Sequence, residues 1–240
     1  MSDARRVAGI AGVVLAIMMA VAFVLDFVLI ATTGGPPQIY PETISVDLVR
    51  VRASAIWPLE TWLYSLQVIP FTLFILGVRN ALRAAGREAA ADTTTLAGLL
   101  FIAAHTLHNL AILTVVQYIA PVYAPDAPNA AALEAATRAL IGLASATFLP
   151  GGGVGSALLV ISLVAFAMGA RGTGVFPAWS TRFAWAGAVL LAVAYLQYVI
   201  APAFFIALFG YLAFIGWVAV LSASFMRSEQ RRGVFVPQPA

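Results

Sequence analysis

The sequence predicts an all-α fold: a polytopic membrane helical bundle with six transmembrane helices and both termini in the cytoplasm. Three observations lead there. Of 240 residues, 62% are hydrophobic and 10% charged, with mean hydropathy +0.96, whereas a water-soluble domain is nearer half apolar and a quarter charged because its surface needs charge. The apolar residues fall in runs long enough to cross a hydrocarbon core of roughly 30 Å. The arginines gather on alternate connections, as they do when positive loops stay on the cytoplasmic side.

Taken in order, the predicted spans are 7–32, 57–82, 94–120, 153–170, 182–200 and 202–226. The first follows Arg5 and Arg6 but exceeds the apolar region of about 7 to 15 residues found in a removable signal peptide, so it is expected to be a retained helix. With the N terminus inside, inner segments hold Arg5, Arg6, Arg79, Arg83, Arg87, Arg171, Arg182, Arg227, Arg231 and Arg232. Outer segments hold only Arg50, Arg52 and Arg138. A seventh span would put the C-terminal arginines outside.

Two places depart from simple hairpins. A helix over 129–170 would be much longer than the membrane is thick at about 1.5 Å per residue, and the run Pro150-Gly151-Gly152-Gly153-Val154-Gly155 breaks it, because proline removes a donor and glycine stabilises no helix. An extra amphipathic outer helix is therefore expected before span four, with Glu134 and Arg138 four residues apart on one face. Ala201-Pro202-Ala203 leaves spans five and six almost no loop. The connection 33–55 reads as an exposed outer loop. Without an internal repeat, one integral membrane domain over 1–240 is the economical division.

Composition closes several chemistries. There is no cysteine, which removes disulfides, thiolate metal sites and iron-sulfur clusters. All 13 basic side chains are arginine, so no lysine can form a retinal or pyridoxal Schiff base. A net charge of +3 spread over loops forms no stripe that could follow phosphates, and nucleic acid is not an expected partner. Gly155-Ser156-Ala157 resembles rhomboid proteases locally, but no later span carries the histidine that chemistry needs.

Ionisable groups inside spans are rare because burial in hydrocarbon costs about 2.5 to 3.5 kcal/mol near a helix centre. Here they are Asp26, Glu60, His105 and His108. Glu60, Tyr64 and Gln67 repeat at helical spacing on one face of span two, above Pro70, which frees the carbonyl of Leu66. His105, His108 and Asn109 share one face of span three, and Tyr195, Gln197 and Tyr198 sit near the outer end of span five. The predicted ligand-binding set is Asp26, Glu60, Tyr64, Gln67, His105, His108 and Asn109, lining an outward-facing polar cavity. Each also has an ordinary structural reading: Asp26 pairing with a neighbouring helix or with Arg50 or Arg52, Glu60 with Arg52, the histidines with a facing helix. His105 and His108, three apart, could also ligate a metal ion with carboxylate help, although no HExxH-type signature is present.

Phe74 to Arg83, where a span ends in an arginine-bearing turn, and Gly151 to Met168 followed by Arg171-Gly172-Thr173-Gly174-Val175-Phe176-Pro177-Ala178-Trp179, carry a resemblance that continues through Gly187 to the last span. In these features, over about half its length, the chain resembles a family of bacterial multi-pass membrane proteins grouped as a domain of unknown function. The resemblance implies the bacterial cytoplasmic membrane and this architecture, and no activity. From the residues, the leading expectation is a membrane protein that binds a small or amphipathic ligand. The rivals are a membrane-embedded enzyme acting on a lipid-soluble substrate through a metal or acid-base groups, and a structural subunit of an oligomer or larger membrane complex.

Overall fold

The computed structural model describes residues 2–33, 43–147, 153–198 and 204–230. Within them every regular element is helical: α1 (Ser2–Thr33), α2 (Ile44–Ala53), α3 (Ile56–Leu66), α4 (Val68–Ala84), α5 (Glu88–Thr114), α6 (Ala130–Thr147), α7 (Gly153–Ala170), α8 (Ala178–Ala194) and α9 (Phe204–Gln230). A π turn at Val115–Ile119 and a 3-10 turn at Ala120–Val122 continue α5, and a 3-10 turn at Tyr195–Tyr198 continues α8.

Five segments are long and apolar enough to cross a membrane: Asp3–Leu29, Ile56–Ala84, Glu88–Val122, Gly153–Ala170 and Ile206–Arg227. They correspond to predicted spans one, two, three, four and six. α8 is apolar but has 17 residues, about 25 Å at the α-helical rise, which falls short of the core without its 3-10 extension. The lipid-facing side of the bundle is plain on α1, where Val7, Ile10, Val14, Ile17, Val21 and Val24 are all exposed. In water such a stripe would be a fault, whereas in hydrocarbon it is the surface a span presents.

α1, α4, α5, α7, α8 and α9 pack each on the next in chain order, and α9 returns to α1, which closes a ring of helices. Its interior is aromatic. Phe74 and Phe166 meet Trp217 edge-on at 5.3 and 5.2 Å, and Phe71 meets Phe101 at 5.5 Å. Since lipid tails are as apolar as leucine, packing rather than exclusion from water must join such helices, and small residues let backbones approach. A side chain at Gly77 would collide with Ala8, and one at Gly12 with Ser222 and the Phe74 ring.

The second span is interrupted where the sequence places the defect. With Pro70 unable to donate to Leu66, α3 ends at Leu66, the Gln67 amide turns to Tyr64 O at 3.3 Å, and α4 starts at Val68. α4 in turn stops at a Schellman cap, with Gly86 N–H bonded to Arg83 O at 2.9 Å and Arg87 N–H to Leu82 O at 3.0 Å. Gly86 has φ 72° and open space where a Cβ would go; helical Gly142 of α6 also has open space but no positive φ. The two substitutions therefore have opposite expected signs. Gly86→Ala should lower stability by about 1 kcal/mol through left-handed strain, and Gly142→Ala should raise it by about 0.5 to 1 kcal/mol through helix propensity. Thermal unfolding of both variants in one detergent checks this.

Two connections correct or complete the sequence reading. The 33–55 segment is not simply an exposed loop: α2 forms within it and buries Ile44, Leu48 and Val51. These side chains join Leu29, Trp57, Val115, Ile119, Tyr123 and Ile141 in a second apolar cluster at the arginine-poor end of the bundle. There the Tyr123 hydroxyl donates to Glu134, which holds the phenol above its ordinary value of 10.0, and Arg52 Nη1 donates to Tyr123 O at 3.0 Å. The extra helix expected before span four is α6. α6 ends at Thr147 and α7 starts at Gly153, which has φ 66°; the break expected over 150–155 falls mostly on residues 148–152, which, like 201–203, lie outside the described residues.

Candidate functional site

The site is built from three helices in the arginine-poor half of the bundle. Asp26 lies near the end of α1, and Tyr64 of α3 donates its hydroxyl to Asp26 Oδ2 at 2.9 Å. Glu60, one turn earlier on the same face of α3, brings its carboxyl within hydrogen-bonding reach of Asp26. The helical spacing of Glu60 and Tyr64 thus converges on a single group of another helix, and Glu60 is only 6% exposed. The salt bridge weighed for Glu60 does not form, because Arg52 is turned to Tyr123 O.

From Tyr64 the cluster passes to α5. The Tyr64 and His105 rings meet edge-on with centroids 5.7 Å apart, and His105 stacks on Phe101 at the same separation. His108 lies parallel to His105 at 6.4 Å, with 8° between the planes. The outer member is tied down by backbone: His108 Nδ1 is 2.9 Å from Ala144 O of α6. Asn109 Nδ2 donates to His105 O at 2.9 Å within the same helix, a local bond that occupies one of its two amide donors.

Gln67 sits three residues beyond Tyr64, at the break between α3 and α4. It is 4% exposed, and its Nε2 has no hydrogen-bond partner among the described residues. A buried amide without a partner costs about 1 to 3 kcal/mol, so its presence is a sign that something else meets it.

The structure therefore brings Asp26, Glu60, Tyr64 and His105 into one contiguous chain, places His108 and Asn109 beside it in supporting roles, and leaves Gln67 buried close in sequence to Tyr64. Gln197 and Tyr198 are not described in side-chain detail, while Tyr195 donates its hydroxyl to Gly153 O and links α8 to α7. The sequence reading missed Tyr211 of α9, whose hydroxyl is in electrostatic reach of Asp26, Tyr64 and Tyr195. Its signal was there: a lone tyrosine in an otherwise apolar stretch, two turns from the end of a span.

The donors do not fit a metal centre. Among the described residues no three His, Asp or Glu side chains gather where they could hold an ion. Imidazoles stacked in parallel planes 6.4 Å apart, one of them already bound to a carbonyl, do not aim two nitrogens at a point about 2 Å from both. What the site offers is two carboxyls, a phenol and an imidazole among apolar neighbours, with no cation paired to them among the described residues. The ion pairs among the described residues lie elsewhere, Arg50 with Asp47 and Arg79 and Arg83 with Asp92. A neighbouring carboxyl pair of this kind holds a shared proton or accepts a donor-bearing or cationic group. In comparisons with protein-family models, curated proteins and solved structures, the chain matches none.

Proposed function

We propose that this is a six-span integral membrane protein, a single domain with both termini cytoplasmic, that binds a small or amphipathic ligand in a polar pocket of its outer half. The pocket is formed by Asp26, Glu60, Tyr64, Gln67 and His105. α8 with its 3-10 extension serves as the remaining span in this reading, supported by its place in the ring between α7 and α9. The observation that carries the proposal is the convergence of Glu60 and Tyr64 of α3 on Asp26 of α1, near one end of an apolar bundle and with no basic partner among the described residues. A ligand suited to it carries a hydrogen-bond donor or positive charge toward the carboxyls and an acceptor toward Gln67, on an otherwise apolar body. His108 and Asn109 favour the structural reading for themselves alone, since backbone carbonyls already engage both.

Mass spectrometry of the small molecules extracted from purified protein tests the proposal. A species held by the wild type and absent from the Asp26→Asn, Tyr64→Phe double variant is the expected result. Identical extracts from two folded proteins would overturn it.

A further inference from the structure

At the opposite, arginine-rich end, α1 and α4 enclose a cleft of about 290 Å³ lined by Ala4, Arg5, Gly77, Asn80, Arg83 and Ala84. Its floor is the close approach of Gly77 to Ala8. Arg5 stands at the start of the Asp3–Leu29 span, and Arg83 in the last turn of α4, so both guanidinium groups are at the level where a bilayer carries its headgroups. At the floor the lipid-facing neighbours are Val7 and Leu76, both exposed.

The charges there do not cancel. Asp92 takes Arg83 Nη2 at 2.8 and 3.0 Å and Arg79 Nε at 3.1 Å, so a single carboxylate orders two arginines and leaves one positive charge over. Arg5 has no ion pair among the described residues, and Arg6 adds to the same turn of α1, whose first turn carries Asp3. Asn80 contributes a side-chain amide. Guanidinium groups and an amide around a small-walled hollow are donors suited to phosphate oxygens.

We propose that this cleft binds a phosphate group, presented from the inner leaflet by an anionic phospholipid. Alanine and glycine walls let the phosphate approach the helices, while Arg5 and Arg83 close on it from α1 and α4. The site is independent of the polar pocket in the other half of the bundle.

Lipid retention in native mass spectrometry tests it, with phosphatidylglycerol set against phosphatidylcholine and inorganic phosphate titrated separately. Wild type should hold phosphatidylglycerol about thirtyfold better than phosphatidylcholine, and Arg5→Gln with Arg83→Gln should remove that preference, in line with the worth of two basic groups at a membrane surface. Because Arg83 also anchors Asp92, Ala84→Trp provides the second variant, filling the cleft with every charge kept. It should abolish the preference as well, which general attraction of arginines to anionic lipid would not do. Inorganic phosphate binding that depends on Arg5, without phosphatidylglycerol retention, would keep the phosphate site and assign it a soluble source. Retention unchanged in Ala84→Trp, or neither probe bound selectively, would overturn the proposal.

Discussion

Gly77→Ala is expected to lower stability by about 1 to 3 kcal/mol, the usual cost of an overpacked interior, and Ala8→Gly in the same chain is expected to restore most of it. A methyl at Gly77 falls on the Ala8 methyl, with Ala8 Cα at 3.5 Å and the Phe225 ring at 3.9 Å behind it. Sliding α1 away is not open to the protein. Gly9, next to Ala8, and Gly12, one turn on, already bring α1 against α9, where an added Cβ would stand 2.9 Å from Met226 Cγ at Gly9 and would collide with Ser222 Oγ at Gly12. The strain therefore stays at the contact. The double variant moves one methyl from α1 to α4 across the same gap and conserves the volume. Ala8→Gly alone leaves only a methyl-sized void, whose cost inside lipid is lost dispersion with little transfer term. Unfolding by SDS, followed by circular dichroism, gives the cycle. A double variant as weak as the sum of the singles would show that Gly77 and Ala8 are not partners.

The architecture was legible because its signals are long-range and redundant. Twenty apolar residues between arginines specify a span whatever packs against it, and Pro70 marks the missing donor to Leu66 without reference to any neighbour, although the predicted second span runs through it unbroken. α2 was not legible: ten residues with Asp47, Arg50 and Arg52 among its apolar positions look like loop, and only the apolar surface offered by Leu29, Trp57 and Tyr123 makes its buried face visible. α8 shows the limit from the other side, since composition marks a span while the regular helix stops at Ala194.

The site was legible residue by residue and not pair by pair. The cost of burying Asp26 and Glu60 marked both as placed for a reason, and helical spacing put Glu60 and Tyr64 on one face. Which helix that face meets depends on the rotation of α1 about its axis, to which a nearly all-apolar sequence is insensitive. So Arg52 looked as good a partner for Glu60 as Asp26. The same insensitivity hid Tyr211 and made His105 and His108 look equivalent, although one is buried against Phe101 and the other hydrogen-bonded to Ala144.

Asp26→Leu should be strongly destabilising, by about 1 to 3 kcal/mol, the range for stranding a buried polar group whose partner is removed. It deprives the Tyr64 hydroxyl of its acceptor and leaves the Glu60 carboxyl alone in the bundle. Tyr64→Phe should cost less, near the 0.6 kcal/mol average of hydrogen bonds between membrane helices and below about 1.7 kcal/mol, because the carboxyls still have each other. The informative combination is Asp26→Leu with Glu60→Leu. Replacing both members of a buried polar pair by apolar side chains of similar size is often neutral, so the double variant should regain most of the stability lost in Asp26→Leu. A purely structural pair predicts that recovery and nothing more. A binding pair predicts a folded protein, with its aromatic interior intact by near-ultraviolet circular dichroism, that has lost the molecule the wild type carries through purification. If the restored double variant still carries it, the carboxyls hold the helices together and bind nothing.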